Sequence, residues 1–413
     1  MGALAAAVKF IHCADLHLGS AFLGLGRDLP ELAGRLAEAP FAAFARIVDL
    51  ALREEVDFLV IAGDIFDRDN PSLSGRMRFR EELLRLDAAK IPVFLSGGNH
   101  DPVPAAWPPA VSLPGNTRLF SADTVEFFPV ERNGEVIARV GGLSHSRLRQ
   151  TDNLVERFAA PPGGPFTVGV LHANVGAQPG FQPYAPAAVA DLAGRGVDYW
   201  ALGHVHNFRK VNEAAPAAYY PGCPQGRAVN EPGERGCLLV QVDSAGRLSV
   251  DFRAVEAMRF EVLEIAGLAD IESFDELAGR CRQGAEKLRG NAPLLIRLRL
   301  SGPTPLNAEL RRSDPAELAA LLGAALPPEA TLERLELATT GLHTEIDTDS
   351  LAAEVATSAA ELREEEALER ELAVLRSKCP GVPEFTRDEL ESIRRDAVER
   401  ILDLLAGTME ARP

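Results

Sequence analysis

From Val8 to about Arg253 the chain alternates short apolar runs with longer amphipathic stretches. The runs VKFIHCA (8–14), DFLVIAGD (57–64), IPVFLSG (91–97), FTVGVLHA (166–173), DYWALGH (198–204) and GCLLVQVD (236–243) predict strands. They are rich in β-branched and aromatic residues and too short for helices. Helical spacing over 40–55 and 73–89 falls between them. Five of the six runs end in or beside a His, Asp or Asn, and layered α/β folds build their sites where loops leave the carboxyl ends of strands. The expected class is α/β, with central sheets flanked by helices.

The pattern then changes. RFEVLEIAG and PLLIRLRLSG predict two further strands, with helices over about 270–288 and 315–325, so 256–340 is expected to form a small α+β domain. GLHTEIDTD (341–349) reads as a linker. A helix is expected from Asp349 to about Lys378, broken by Cys379-Pro380-Gly381 and Pro383. Thr386 with Glu389 forms a capping-box pattern, after which Leu390, Ile393, Ala397, Ile401 and Leu404 share one helical face. The expected division is therefore 8–255, 256–340 and an acidic helical region at 341–413.

Composition narrows the setting. At 413 residues the chain can fill two or three cores. No apolar run approaches the roughly 18 residues of a membrane span, and MGALAAAVKF has no basic leader, so neither a span nor a signal peptide is expected. Five scattered cysteines without a CxxC pair fit a reducing cytoplasm and argue against disulfides or structural zinc. The net charge of −17 is uneven: residues 341–413 hold 9 Lys/Arg against 18 Asp/Glu, a net of −9, which leaves −8 for the other 340. Such a chain is a poor non-specific binder of polyanions, because Lys/Arg neutralisation supplies most of that affinity. A nucleic-acid substrate would need attraction from bound metal or from a partner.

Candidate chemistry lies at the strand ends. It comprises Asp15 and His17 in ADLHLG, Asp64 in AGDIFD, Asn99, His100 and Asp101 in GGNHD, His172 in VLHAN, and His204 and His206 in LGHVHN. Each block alone is weak, since a DxH or a Gly-Asp after a strand is common. Together they take five of the chain's eight histidines. In an extended segment residues two apart share a face, so Asp15/His17 and His204/His206 could each aim two ligands at one point. Imidazole, carboxylate and amide oxygen suit manganese, iron or zinc. Two dications against Asp15 and Asp64 leave roughly two positive charges for a phosphate and an activated water. A metal pair about 3.5–4 Å apart supports in-line phosphoester displacement.

In this order DLH, GD, GNHD, H and GHVH resemble the calcineurin-like metallophosphoesterases, over roughly residues 8–255. The resemblance implies a layered sandwich and two metals. Asp15, His17, Asp64 and His206 would hold one metal, and Asp64, Asn99, His172 and His204 the other, with Asp64 bridging. His100 would sit over the phosphate as charge stabiliser or general acid, and Asp101 would either orient it or cap a turn. FIHCADLHLGSAFLGL, GDIFDRDNPSLSGRMRFREELLRL and IPVFLSGGNHDP resemble bacterial DNA-repair exonucleases of the SbcD and YhaO type. YYPGCPQGRAVNEPGERGCLLVQVD resembles the YhaO branch. That resemblance implies Mn(II), DNA as substrate, a capping domain, a helical tail meeting an SMC-like coiled-coil ATPase, and a homodimer.

Two positions depart from the wider pattern. Asp67 stands where the archaeal and eukaryotic nucleases carry a histidine, and is expected to cap a turn or pair with an arginine. Cys223 replaces a small hydroxyl or amide residue. Candidate DNA contacts are Arg68, Arg76, Arg80, His145, Arg147 and Arg149, and no recognition-helix motif is present. Two rival classes remain: a small-molecule or nucleotide phosphodiesterase, and a non-catalytic adaptor. The filled ligand positions weigh against the adaptor.

Overall fold

The computed structural model describes residues 7–20, 30–67, 72–103, 111–161 and 163–342. The tail helices expected beyond 349, most of the linker and Arg68 lie outside the described residues. Twelve strands build two six-stranded sheets: β1 (Val8–Cys13), β2 (Phe58–Ala62), β3 (Val93–Ser96), β4 (Thr117–Leu119), β5 (Glu126–Arg132), β6 (Glu135–Leu143), β7 (Phe166–His172), β8 (Tyr199–Gly203), β9 (Arg209–Asn212), β10 (Ala217–Tyr220), β11 (Gly236–Val242) and β12 (Leu248–Ala254). All six predicted runs are among them. One sheet has the order β12-β11-β1-β2-β3-β4, with β1 to β4 parallel and β11 antiparallel to β1. The other runs β5-β6-β7-β8-β10-β9, parallel from β6 through β10.

Strand alternation sorts the apolar residues into layers. Phe10, Phe58, Val60 and Phe94 face inward onto Val140, Val168, Val170, Tyr199 and Ala201 of the second sheet. Phe58 alone, fully buried, is worth roughly 2–3 kcal/mol of transfer free energy. The alternate residues Ile11, Leu59, Ile61, Val93 and Leu95 face two helices, α1 (Pro30–Glu54) and α2 (Leu73–Ala88). Outside the second sheet, Trp200, Leu202 and Tyr220 pack on Leu154, Phe158 and Leu192.

Helix α1 starts ten residues before the predicted position and runs through Pro40. Its early turns bury Leu32, Leu36 and Ala39 against Met258, Phe260 and Leu295, a tertiary gain that local propensity does not register. Ser72 begins α2 by accepting a bond from the Gly75 amide.

Two compact units are resolved by packing: one runs to Glu261 and includes Gly290–Leu295, and the other begins at Val262. The second unit is built on a three-stranded sheet of β13 (Arg259–Ile265), β14 (Leu294–Pro303) and β15 (Ala330–Thr340), apart from the first residues of β13 and β14, which belong to the first unit. It carries α3 (Phe274–Lys287), α4 (Asn307–Arg312) and α5 (Pro315–Ala325). The Ser273/Glu276 capping box starts α3, and Asp314 followed by Pro315 starts α5. Among the described residues no helix is long and apolar enough to cross a membrane.

Candidate metal centre

The parallel strands β1, β2, β3, β7 and β8 deliver the candidate ligands at their carboxyl ends. The loops after β1 and β2 are zipped by backbone bonds: the Asp15 amide donates to the Gly63 carbonyl at 3.0 Å, His17 to Asp64 at 3.0 Å, and Leu18 to Ile65 at 2.8 Å. Asp15, His17 and Asp64 have φ of 53°, 43° and 49°, and His204 has φ of 105°. These are left-handed backbone positions, uncommon for residues with a Cβ and enriched at functional sites. The extended i, i+2 geometry expected for Asp15/His17 and His204/His206 is therefore not what aims them. Tight turns do so, held by the ladder between adjacent loops.

Asp15, His17, Asp64, Asn99, His172 and His204 are buried, and His206 and His100 line the mouth. Asp64 Oδ2 lies 3.3 Å from His172 Nε2 and 3.9 Å from His17 Nε2, so one carboxylate oxygen stands between the two expected ligand sets. Asn99 Oδ1 is 3.0 Å from His172 Nε2. Asp15 Oδ1 is 4.0 Å from both His206 Nε2 and His172 Nδ1. The His172 Nδ1 is already bonded to the Ala62 carbonyl at 2.9 Å, which leaves Asp15 with His206 as its ligand partner. His204 donates its backbone amide to Asp15 and sets its ring 5.4 Å from that of His172.

The donor set fits a metal pair. His172 is bonded through Nδ1 to Ala62, His204 through Nε2 to the Gln182 carbonyl at 2.8 Å, and His206 through Nδ1 to Glu231 Oε1 at 2.6 Å. In each ring the far nitrogen donates outward, which leaves the other lone pair for the site, the arrangement that fixes metal-binding histidines. His17 is fully buried and neither of its ring nitrogens has a hydrogen-bond partner. Leaving both orphaned is costly unless a cation takes one of them. Burial, then the nearby Arg227 charge, holds His17 well below the ordinary imidazole value, so it is neutral and able to ligate. Burial alone would lower His172, but Asp64 outweighs it and raises the ring to about 9. A proton thus joins these two groups in the place a cation can take.

Of the two roles expected for Asp101, the structure places it in the turn-capping one, and its carboxylate bonds backbone amides rather than His100. Oδ1 accepts from the amides of Gly98 (2.7 Å) and Asp64 (3.1 Å), and Oδ2 from those of Ile65 (2.8 Å) and Phe66 (3.3 Å). Burial and the Asp64 charge push it up to about 7, while four amide donors favour the ionised form. It is a staple between the loops after β2 and β3. The partner of His100 is Asp67, whose Oδ1 is 2.6 Å from His100 Nδ1 and whose Oδ2 accepts from Ser20 at 2.7 Å. The bond to His100 holds Asp67 well below the carboxylate range. Burial works against the charged imidazole of His100, but Asp67 and Asp64 outweigh it and raise its value.

Glu231 and Arg227 come from the loop after β10, inside the stretch that resembles the YhaO branch, but nothing in the sequence assigns either of them to the site. Phe181 and Tyr184 set their rings 5.6–5.8 Å from those of His204 and His206, another contact with no signature in the chain. Among the candidate DNA contacts, His145 is buried with Nε2 at 2.6 Å from the His172 carbonyl, so it supports a ligand strand and cannot reach DNA. Arg147 is paired with Asp152 at 2.7 Å, and Arg80 donates to the Ser112 carbonyl at 3.0 Å. Cys223 is a buried free thiol, raised to about 12 by burial, and packs beneath His206.

Two facing sheets with carboxylates, imidazoles and an amide gathered at their strand ends define a metal-dependent phosphoesterase. Comparison with known proteins bears this out. The family model for calcineurin-like phosphoesterase matches residues 8–208, and that for the middle domain of metallophosphoesterase YhaO matches 260–340. The uncharacterized metallophosphoesterase YhaO of Bacillus subtilis is 34% identical over 293 residues, 70% of this chain and 71% of that protein. The DNA double-strand break repair protein Mre11 of Thermoplasma acidophilum is 25% identical over 54% of this chain and 57% of its own length. The SbcD component of the nuclease SbcCD of Bacillus subtilis is 27% identical over 55% of this chain and 64% of its own. The chain belongs to the calcineurin-like metallophosphoesterase family, whose members hydrolyse phosphoester bonds at a dinuclear divalent metal centre.

Proposed function

We propose that this chain is a two-metal phosphodiesterase that degrades DNA as a repair exonuclease, with nicking of single strands as a second activity, in the cytoplasm. Mn(II) is the metal we assign, by kinship to the SbcD and YhaO type, within a mixed imidazole, carboxylate and amide donor set that manganese, iron and zinc all suit. In this reading Asp15, His17, Asp64 and His206 hold one ion, and Asp64, Asn99, His172 and His204 hold the other. When bound, such a pair activates water and offsets the charge of the phosphate.

The observation that carries the reading is His100 held by Asp67 at the mouth of the buried ligand cluster. The Asp67 bond fixes Nδ1, so Nε2, 4.0 Å from Asp64 Oδ2, faces the cluster. Against burial, the carboxylates of Asp67 and Asp64 raise the proton affinity of the ring and so favour its protonated form. His100 gives that proton to the leaving oxygen as the phosphorus–oxygen bond breaks. Glu231, Ala62 and Gln182 hold the other rings in fixed tautomers, and Asp101 locks the loops that carry Asp64 and Asn99.

Kinship to proteins named for double-strand-break repair and to a nuclease component supports DNA as the substrate. The same kinship supports a homodimer and an SMC-like ATPase partner docking on 341–413, whose acidic charge suits a basic coiled coil. The partner would also bring the positive charge that this chain lacks.

The test is digestion of end-labelled linear duplex DNA with Mn(II) by the wild-type chain, beside His100→Ala. Progressive shortening by wild type alone is expected. Hydrolysis of cyclic nucleotides with DNA untouched would establish the small-molecule reading instead. A protein that purifies without metal and is indifferent to His100→Ala would be an adaptor.

A further inference from the structure

Arg227 reaches the mouth of the same site from the loop after β10, with its side chain about four-fifths buried (18% exposed). Its Nη1 lies 3.7 Å from Asp67 Oδ2 and its Nη2 3.6 Å from Glu231 Oε1, close enough for ion pairing but beyond hydrogen-bond length. Nη2 is also 3.2 Å from His206 Nδ1. That nitrogen spends its proton on Glu231 at 2.6 Å, so it has no lone pair to offer a guanidinium. The Arg227 Nε is buried without a hydrogen-bond partner, as is that of Arg235, so the two arginines differ in their Nη groups alone.

Arg235, a few residues on, shows what a structural arginine does in this loop. Its Nη1 donates to the His206 carbonyl at 2.5 Å and to Asn207 Oδ1 at 2.8 Å, and its Nη2 donates to the Pro232 carbonyl at 2.8 Å. Arg227 spends no side-chain donor in this way among the described residues. It is held by charge between the two carboxylates that orient His100 and His206, with its donors in reserve.

Resting on the phosphodiesterase reading above, we propose that Arg227 is a catalytic residue that grips a non-bridging oxygen of the scissile phosphate. A guanidinium is planar, permanently charged and matched to two phosphate oxygens. Negative charge grows on those oxygens as the reaction proceeds, so a donor waiting there stabilises the transition state more than the ground state. Asp67 and Glu231 set its plane, and His100 beside it serves the leaving group. The site thereby takes a phosphodiester, whose negative charge is shared by its two non-bridging oxygens, and it discriminates against esters that present no anionic oxygen.

The test uses the metal-loaded full chain as wild type, Arg227→Ala and Arg227→Lys. Bis(p-nitrophenyl) phosphate hydrolysis is measured with and without added guanidinium, alongside metal content, melting temperature and calorimetric binding of inorganic phosphate. Expected for Arg227→Ala are wild-type metal content and melting temperature and a loss in kcat/KM of about 10²–10³-fold, the scale of removing one preorganised donor. Guanidinium should restore part of that loss, Arg227→Lys should fall between, and phosphate should bind at least about tenfold more weakly, roughly 1.4 kcal/mol.

Unchanged kcat/KM and phosphate affinity would overturn the proposal. So would metal loss that matches the activity loss with no guanidinium rescue, which would make Arg227 a counter-ion for Glu231. If wild type cleaves no phosphodiester, the functional reading fails by itself. Phosphate affinity still decides Arg227, and equal affinity in wild type and Arg227→Ala sinks it.

Discussion

Asp67 Oδ1 lies 2.6 Å from His100 Nδ1, so the residue that departs from the nuclease pattern is the one that holds the imidazole at the mouth of the site. Replacing it with asparagine keeps the shape but removes the charge that favours the protonated ring. Asp67→Asn should lower phosphodiester kcat by about 10- to 100-fold, the usual scale for losing an orienting partner, while metal content stays at the wild-type level. Parallel metal analysis and steady-state kinetics check this. A variant as fast as wild type would show that His100 needs no help from Asp67.

Asp101 should matter to stability before it matters to rate. Alanine there removes the acceptor of the buried amides of Gly98, Asp64 and Ile65 at once, and one bond from that of Phe66. Stranding buried donors costs about 1–3 kcal/mol each before relaxation, so Asp101→Ala is expected to lose at least about 3 kcal/mol. Urea unfolding of the first unit would show it as a midpoint shift of more than about 1 M. A shift within error would mean that the loops find other acceptors.

How much of this was written in the chain depends on the kind of interaction. Strands buried on both faces read as unbroken apolar runs, and β1, β2, β3, β7, β8 and β11 were all legible for that reason. The edge strands β5, β9 and β12 are half-exposed and mixed in polarity, as is β15, where Thr339 is the one buried residue, so no period stands out. The ligand blocks were legible because they recur together, taking five of the chain's eight histidines at the ends of strands. Their supports were not: a carbonyl such as that of Ala62 or Gln182 has no signature, and Glu231 meets His206 across 25 residues of chain. Asp67 was visible only as an anomaly, since its partner is chosen in space. Asp101 sits beside His100 in the chain, yet its carboxylate points the other way, into the backbone.

His12 should make stability depend on pH independently of the metal site. It is fully buried, with Nδ1 3.0 Å from the Tyr199 hydroxyl and Nε2 3.1 Å from the Leu202 carbonyl. Burial, opposed only by that carbonyl, drives it down to about 3. The unfolded ring titrates near 6.5, so above that pH neither state takes the proton and stability is flat. Between about 6.5 and 3 only the unfolded state takes it, and folding weakens as pH falls, by up to about 1.4 kcal/mol per pH unit. From pH 7.5 to 5.0 the loss from His12 is about 2 kcal/mol. His12→Phe should unfold with a correspondingly smaller pH difference in urea. An unchanged difference would assign the effect elsewhere, for instance to buried His145, which has the same sign.

Chelation should destabilise the first unit and not merely silence it. Asp15 and Asp64 are buried side by side, and the ring nitrogens of His17 have no hydrogen-bond partner. A cation that binds only the folded site adds roughly 2.7 kcal/mol when free metal is a hundredfold above its dissociation constant. Scanning calorimetry with Mn(II) and then with excess chelator should show a lower melting transition, reversed by adding Mn(II) back. A transition indifferent to both would argue against a resident metal.

Gly98 is expected to be indispensable because of how closely its backbone approaches Asp64. A Cβ at Gly98 would overlap Asp64 Oδ1 and come within 2.7 Å of the Asp64 amide nitrogen. Asp64 cannot retreat, because its amide is tied to Asp101 and its Oδ1 accepts from the His100 amide at 2.8 Å. Gly98→Ala must therefore push the GGNHD loop away from β2, at a cost of about 1–3 kcal/mol for overpacking. The displacement would separate Asn99 from Asp64, so the variant should bind about one metal equivalent fewer and lose phosphodiesterase activity with it. Gly115→Ala is the control, since a Cβ there meets nothing within 4 Å. Full metal loading in Gly98→Ala would show that the loop has slack, and that the paired glycines before Asn99 are not there for close approach.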